Sequence, residues 1–266
     1  MLDAQLKTAR ALERLLKRKP YLELSSDISA QEWCMLRLGT DPEQRLRSMR
    51  AITDQVYDKL ESDFIKSRVY DLKDGQCGMS VRAVGSALSF DFIQSMVTDT
   101  IDYDTMQTWM WSLMCHQVYT QNVPKFTSTS ETLESPEDNI AYIRADTTIV
   151  VKGAKTHFEG RWVVRMYVEA NRTVFITQSI MDDALYPHAP DRKRDRSTCW
   201  AVLERHPTDP TKTRQYYLLQ CVPGLHIESP DKGNTELMLY QGEMTEILLN
   251  VMRNCMESLK VASLRD

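Results

Sequence analysis

The stretch HFEGRWVVRMYVEANRTVFITQSI, His157 to Ile180, decides the fold class. In its first half Phe158, Trp162, Val164, Met166 and Val168 alternate with His157, Glu159, Arg161, Arg165 and Glu169. A strand turns successive side chains to opposite faces, so the alternation reads as a strand over His157 to Glu169 with one dry face and one wet face. Glu169-Ala170-Asn171-Arg172 supplies a short hairpin turn, and Thr173 to Ile180 returns as a second strand. The expectation is an antiparallel sheet covered on one side only.

Working outward toward the C-terminus, Thr198 to Arg205 and Arg214 to Val222 read as further strands. They are joined by His206 to Thr213, a longer connection with two prolines. Glu236 to Leu264 then reads as one helix, roughly 40 Å at 1.5 Å per residue, with Leu237, Met244, Leu248, Val251, Cys255 and Leu259 along one side. A helix that long can cross an entire sheet and cover its dry face.

Toward the N-terminus, Ile140 to Val151 is another strand candidate, and residues 119 to 138, polar and rich in Thr, Ser and Pro, read as a loop. Ser80 to Thr98 suits strands, with Gly85 allowing a bulge or bend. Beyond Asp102 the apolar positions Met106, Trp109, Met110 and Leu113 mark one face of a helix, and Asp102 and Asp104 fit its cap and first turn. A calcium loop in this stretch would need oxygen ligands at alternate positions, a sixth-position glycine and a twelfth-position glutamate, and the pattern is missing. Asp41-Pro42-Glu43-Gln44 opens an earlier helix with Leu46, Met49, Ile52, Val56, Leu60 and Phe64 on one face, ended by turn chemistry at Asp71 to Gln76. Leu2, Leu6, Ala9, Leu12 and Leu16 form the stripe of a short N-terminal helix, read either as a homodimer seam over residues 2 to 18 or as a helix docked on the body.

The order of elements is helix, strands, helix, a run of antiparallel strands and a terminal helix, an α+β arrangement. The expected division is an N-terminal amphipathic helix and linker over 1–40 and one domain over 41–266. At 266 residues, with 42% hydrophobic and 26% charged residues, the chain can bury a full core without staples. A net charge of -4 gives no global attraction to nucleic acid, and the expectation is no nucleic-acid binding through this domain. No uncharged apolar run approaches the roughly 20 residues that span a bilayer, so the chain reads as intracellular, cytoplasmic or nuclear. Cys34, Cys77, Cys115, Cys199, Cys221 and Cys255 are scattered, which indicates neither a zinc ribbon nor a disulfide framework. His116, His157, His188, His206 and His226 lie far apart and in no recognised motif, and no GxSxG, HExxH, P-loop or GxGxxG is present. The expectation is therefore no enzyme, no catalytic residues, no metal and no cofactor.

The run CWAVLERHPTDPTKTRQYYLLQCVPGLHI, Cys199 to Ile227, resembles the end of StAR-related lipid-transfer (START) domains: a tryptophan, a strand, a polar turn, a strand rich in Tyr and Leu, and a Pro-Gly step into the last helix. GRWVVRMYVEANRTVFITQSI, Gly160 to Ile180, is similar to the hairpin that precedes it in that family. Val222 stands where many START domains have an acidic residue, and Leu225 where a second glycine is usual. More narrowly, VRAVGSALSFDFIQSMVTDTIDYDTMQTWMW and AQLKTARALERLLKRKP resemble a START-like group abundant in oomycetes, some of whose members are described as mating-specific proteins. The resemblance covers about residues 65 to 266. It implies a helix-grip fold, START/Bet v 1-like, in which a curved antiparallel sheet wraps the terminal helix and a lipid or sterol lies between them.

The candidate ligand-binding residues follow from chemistry as well as position. Met166, Met244 and Met252 offer flexible thioethers, which either adapt to an irregular ligand or fill core. Trp162 and Trp200 either wall a ligand or pack the sheet. Val164, Ile176, Val202, Leu218 and Leu248 supply apolar area. Gln178, Glu204 and Gln220 are polar residues able to orient a head group. Asp191-Arg192-Lys193-Arg194-Asp195-Arg196 is the main basic cluster, read as a solvated loop or as a site of transient membrane contact. The rival to a hydrophobic small-molecule or lipid binder is an interaction module with a filled core, dimerising through the N-terminal helix.

Overall fold

A computed structural model describes residues 2–17, 36–84, 87–116, 125–151, 153–206, 208–209, 211–222, 246–247, 250–251 and 254. Its elements in chain order are α1 (Leu2–Lys17), β1 (Arg37–Leu38), α2 (Pro42–Lys66), a 3-10 turn (Val69–Asp71), β2 (Cys77–Val84), β3 (Ala87–Thr98) and α3 (Tyr103–His116). There follow β4 (Phe126–Glu137), β5 (Ile140–Val151), β6 (Ala154–Val168), β7 (Arg172–Ser179), β8 (Asp182–Asp183), β9 (Arg196–Arg205) and β10 (Thr213–Val222). Eight strands form one antiparallel sheet in the order β2-β3-β10-β9-β7-β6-β5-β4, and β1 pairs with β8 in a small parallel ladder.

Both faces of the large sheet are covered, which corrects the one-sided expectation. On one face α2 lays Val56, Leu60 and Phe64 against Val174, Ile176, Trp200, Val202 and Leu218, while Met49 and Ile52 meet Ile140, Tyr142 and Val163. On the other, α3 lays Met106, Met110 and Leu113 against Ile143, Val164, Phe175 and Ala201. The charged residues expected in water are instead paired, Arg165 and Arg172 with residues of α2 and Arg161 and Glu159 beneath the 187–189 segment. Arg161 bonds Glu159, Arg165 donates to Asp54 Oδ1 at 2.9 Å, and Arg172 reaches Glu61 at 2.6 Å. Alternation alone cannot separate a solvated face from one of satisfied ion pairs.

The helix starts follow their capping chemistry. Asp41 Oδ1 accepts from Gln44 N at 2.8 Å with Pro42 at the first position of α2. Asp102 Oδ1 accepts from the Asp104 and Thr105 amides at 3.0 and 2.9 Å. The Thr105 hydroxyl and those amides hold its carboxyl below the usual range.

Two expectations change. Residues 126 to 137 form a strand rather than a loop, because β-branched Thr suits the pleat even in a polar run. As an edge strand β4 carries Glu131, Glu134 and Pro136 and breaks register twice, features that discourage pairing with another chain. The N-terminal helix docks through the side opposite to that foreseen. Ala11 and Lys7 are buried, whereas Leu6 and Leu12 of the apolar stripe are 49% and 48% exposed. The fully buried Glu61 carboxylate decides this orientation, since Arg14 Nε donates to it at 2.5 Å beside Arg172. Burial alone would raise Glu61, but the bond from Arg14 and the charges of Arg14 and Arg172 outweigh it and leave its pKa low.

The fold is α+β of the helix-grip class. Of the expected terminal helix only Glu246, Ile247, Asn250, Val251 and Asn254 are described. All five are helical, with Ile247 and Val251 buried and Glu246 and Asn250 exposed. The remainder, with Met244, Leu248 and Met252, lies outside the described residues.

Candidate functional site

The α3 side of the sheet has an unusual floor. Ala141 and Ala145 on β5, Gly160 on β6, and Cys199 and Ala201 on β9 present little side-chain bulk. Above them Met106, Met110 and Met114 recur every fourth residue along α3, so one helix face is thioether. Trp162 folds back over Gly160, where a Cβ would fall 1.9 Å from the indole Cη2, and its Nε1 donates to Ser197 Oγ at 2.7 Å. α3 lies over β4 to β7 and β9, while the apolar face runs on to Phe92 and Met96 of β3 and Leu219 of β10.

The sheet divides the candidate residues by face. Trp162, Val164 and Met166 of β6 point to the α3 side. Ile176, Trp200, Val202 and Leu218 are core under α2, and Trp200 Nε1 donates to the Val56 carbonyl at 3.0 Å, which ties α2 to β9. Gln178, Glu204 and Gln220 share that second face by strand alternation. Gln178 donates to the Ser179 and Ser197 carbonyls and accepts from Thr198 at 2.7 Å, so its amide is engaged within the sheet.

A cleft of about 330 Å³ opens on the α2 side, where Ile52, Val56 and Trp200 meet Gln178, Thr198 and Gln220. Exposed Lys59, Lys66 and Arg196 stand around it with Asp63, whose pKa is raised by burial. The basic loop is tied down in part: the Lys193 amide donates to the His157 carbonyl at 2.9 Å, and Arg194 donates to the Met181 carbonyl at 3.0 Å.

Buried titratable groups on both faces of the sheet are tuned away from reactivity. Burial pushes the Cys199 thiol up to about 12 and that of Cys115 up to about 11, so neither is a thiolate near neutrality. Burial also holds Asp195 at about 6. His188, buried beside Glu159 and Arg161, is lowered to about 4 by burial and by the charges of Arg161 and Arg194. Among the described residues no three His, Cys, Asp or Glu side chains converge as a metal site would require. What this arrangement can do is enclose apolar matter.

Sequence reasoning missed Gln94, Gln215, the small-residue floor and the α3 methionines as a site. The signals were present: Phe90, Phe92, Gln94 and Met96 alternate with one polar interruption, and the methionines keep helical spacing.

No protein-family model matches the sequence, and no curated protein matches it significantly. Solved structures that are similar include a STAR-related lipid transfer protein fragment from Xanthomonas axonopodis, with 15% identity over 71% of this chain and 97% of that one and a TM-score of 0.44. Human StAR-related lipid transfer protein 5 has 14% identity over 79% and 98%, TM-score 0.43. Human STARD10 has 12% identity over 73% and 75%, TM-score 0.43.

Proposed function

We propose that this chain binds a hydrophobic small molecule, a lipid or sterol, without chemical change. The ligand lies on the α3 side of the sheet. The observation that carries the reading is the mismatch between a broad apolar face, with Ala141, Ala145, Cys199 and Ala201 on its floor, and α3, which among the described residues lies over only part of it. Small side chains on the sheet leave depth, and methionines opposite adapt to irregular shape. Burying roughly 300 Å² of ligand at about 25 cal/mol per Å² offers about 7 kcal/mol before entropic costs, enough for a carrier that must also release. Native mass spectrometry after mild purification, followed by lipid extraction, tests the reading. A copurified apolar molecule is expected; repeated absence together with no exchange of a fluorescent lipid would overturn it.

A second reading, association through α1, is favoured by the exposure of Leu6 and Leu12 on a helix anchored by its opposite side. Light scattering on the full chain tests it. The double substitution Leu6→Lys and Leu12→Lys should convert dimer to monomer, and a wild-type mass of one chain at all concentrations rules it out.

A further inference from the structure

Two carboxamides on the α3 side are buried with polar atoms that find no partner. Gln94 on β3 and Gln215 on β10 are each 2% exposed. Among the described residues Gln94 Oε1 and both Oε1 and Nε2 of Gln215 find no hydrogen-bond partner. The register fixes which way they face: Gln215 stands opposite Met96 on one neighbour and Leu203 on the other, while Tyr217 stands opposite Gln94 and Ala201. Met96, Leu203 and Ala201 all belong to the α3-side core. The carboxamides are therefore diagonal neighbours on adjacent strands, about 7 to 8 Å apart, within reach of one small polar group between them. A buried polar atom without a partner is costly, and natural cores keep few of them. Exchanging N for O in Gln215 changes nothing, since both atoms are unpartnered.

The chemistry of the pair limits what it can receive. Two carbonyl oxygens call for hydrogen-bond donors, and one amide nitrogen calls for an acceptor. The neighbours Phe92, Met96, Ala201 and Leu203 carry no charge. Arg205, the next residue on this face of β9, is exposed and already engaged by Asp104 at 3.2 Å and by the Tyr103 ring. An anionic head would meet two carbonyl dipoles with no buried cation among the described residues of this face to offset them.

We infer, building on the lipid-binding reading above, that Gln94 and Gln215 receive the polar end of an uncharged amphiphile whose head both donates and accepts, a hydroxyl or an amide. They select it over a carboxylate or phosphate on the same apolar body.

Displacement of the neutral dye Nile red from the purified full chain tests this with three probes of one chain length: 1-dodecanol, dodecanamide and dodecanoate at pH 8. The alcohol and the amide should displace the dye at concentrations at least tenfold lower than dodecanoate, and Gln215→Leu should shrink that ratio below twofold. Gln215→Leu should also raise Tm, because an apolar group of similar size relieves the unpaired amide, whereas a purely structural glutamine would lose stability. Equal displacement by all three probes, or preference for dodecanoate, overturns the selectivity while dye binding leaves the parent reading standing. Failure to bind Nile red or any probe overturns both.

Discussion

Replacing Gly160 with alanine tests whether the floor of the proposed site is built as described. The new Cβ would lie 1.9 Å from Trp162 Cη2, 2.3 Å from Cζ2 and 2.7 Å from Cζ3, whereas ordinary contact begins at 3.4 Å. The indole must retreat by about 1.5 Å, and its benzo edge is buried against the α3-side core, so it cannot swing into water. Overpacking of this kind costs about 1 to 3 kcal/mol. Losing the 2.7 Å bond from Nε1 to Ser197 adds about 1 kcal/mol. The reduced freedom of the unfolded chain returns about 0.4 to 1 kcal/mol, which leaves a net loss of about 1 to 3.5 kcal/mol. At about 2 to 4 °C per kcal/mol for a chain of this size, Tm should fall by roughly 2 to 14 °C. Urea titration followed by near-ultraviolet circular dichroism measures the loss. The same substitution made with Trp162→Val should cost little, because the clashing edge is gone. A loss under about 0.5 kcal/mol, or an equal loss in both backgrounds, refutes the packing argument.

Glu61→Ala should cost about 3 kcal/mol by urea titration, because buried Arg172 loses its bond at 2.6 Å and keeps only Glu169 at 2.9 Å; Arg14→Ala should cost about 1 kcal/mol, since Arg172 and Tyr70 still hold Glu61 at 2.6 and 2.7 Å. Asp102→Ala should cost about 1 kcal/mol in thermal melts through loss of the α3 cap. His188 is buried neutral, its folded pKa of about 4 lying below the ordinary 6.5, so its contribution is present above pH 6.5 and is lost as pH falls toward 4. His188→Gln should flatten that acid limb of a Tm against pH curve, and an unchanged limb would show that the ring is solvated. Asp195 has the opposite sign: its folded pKa is raised to about 6, so its contribution is full below pH 3.8 and lost as pH rises through 6. Asp195→Asn should therefore raise Tm at pH 7.5 and change it little at pH 3.5, and equal shifts at both pH values would contradict the burial.

Strand positions were legible wherever apolar runs were bounded by turn residues: Ile140 to Val151 is found as foreseen, and Arg214 to Val222 starts one residue earlier. Which face each residue occupies was not. The hairpin pairs Val168 with Thr173 and Val164 with Thr177, so an even position on β6 faces the same way as an odd position on β7. Trp162, Val164 and Met166 therefore share a face with Phe175 and Thr177 rather than with Ile176 and Gln178. Apolar composition could not reveal this, because β7 is buried on both sides and both of its parities read as core. The same limit explains why Gln178 looked like a head-group ligand and Gln94 did not. Each interrupts an apolar run, but Gln178 finds Ser197 and Thr198 across a strand pair, while Gln94 finds Tyr217 and, diagonally, a second unpartnered amide. A polar residue within a strand becomes a candidate for ligand recognition only once its cross-strand neighbours are known to leave it unsatisfied, and that knowledge belongs to register.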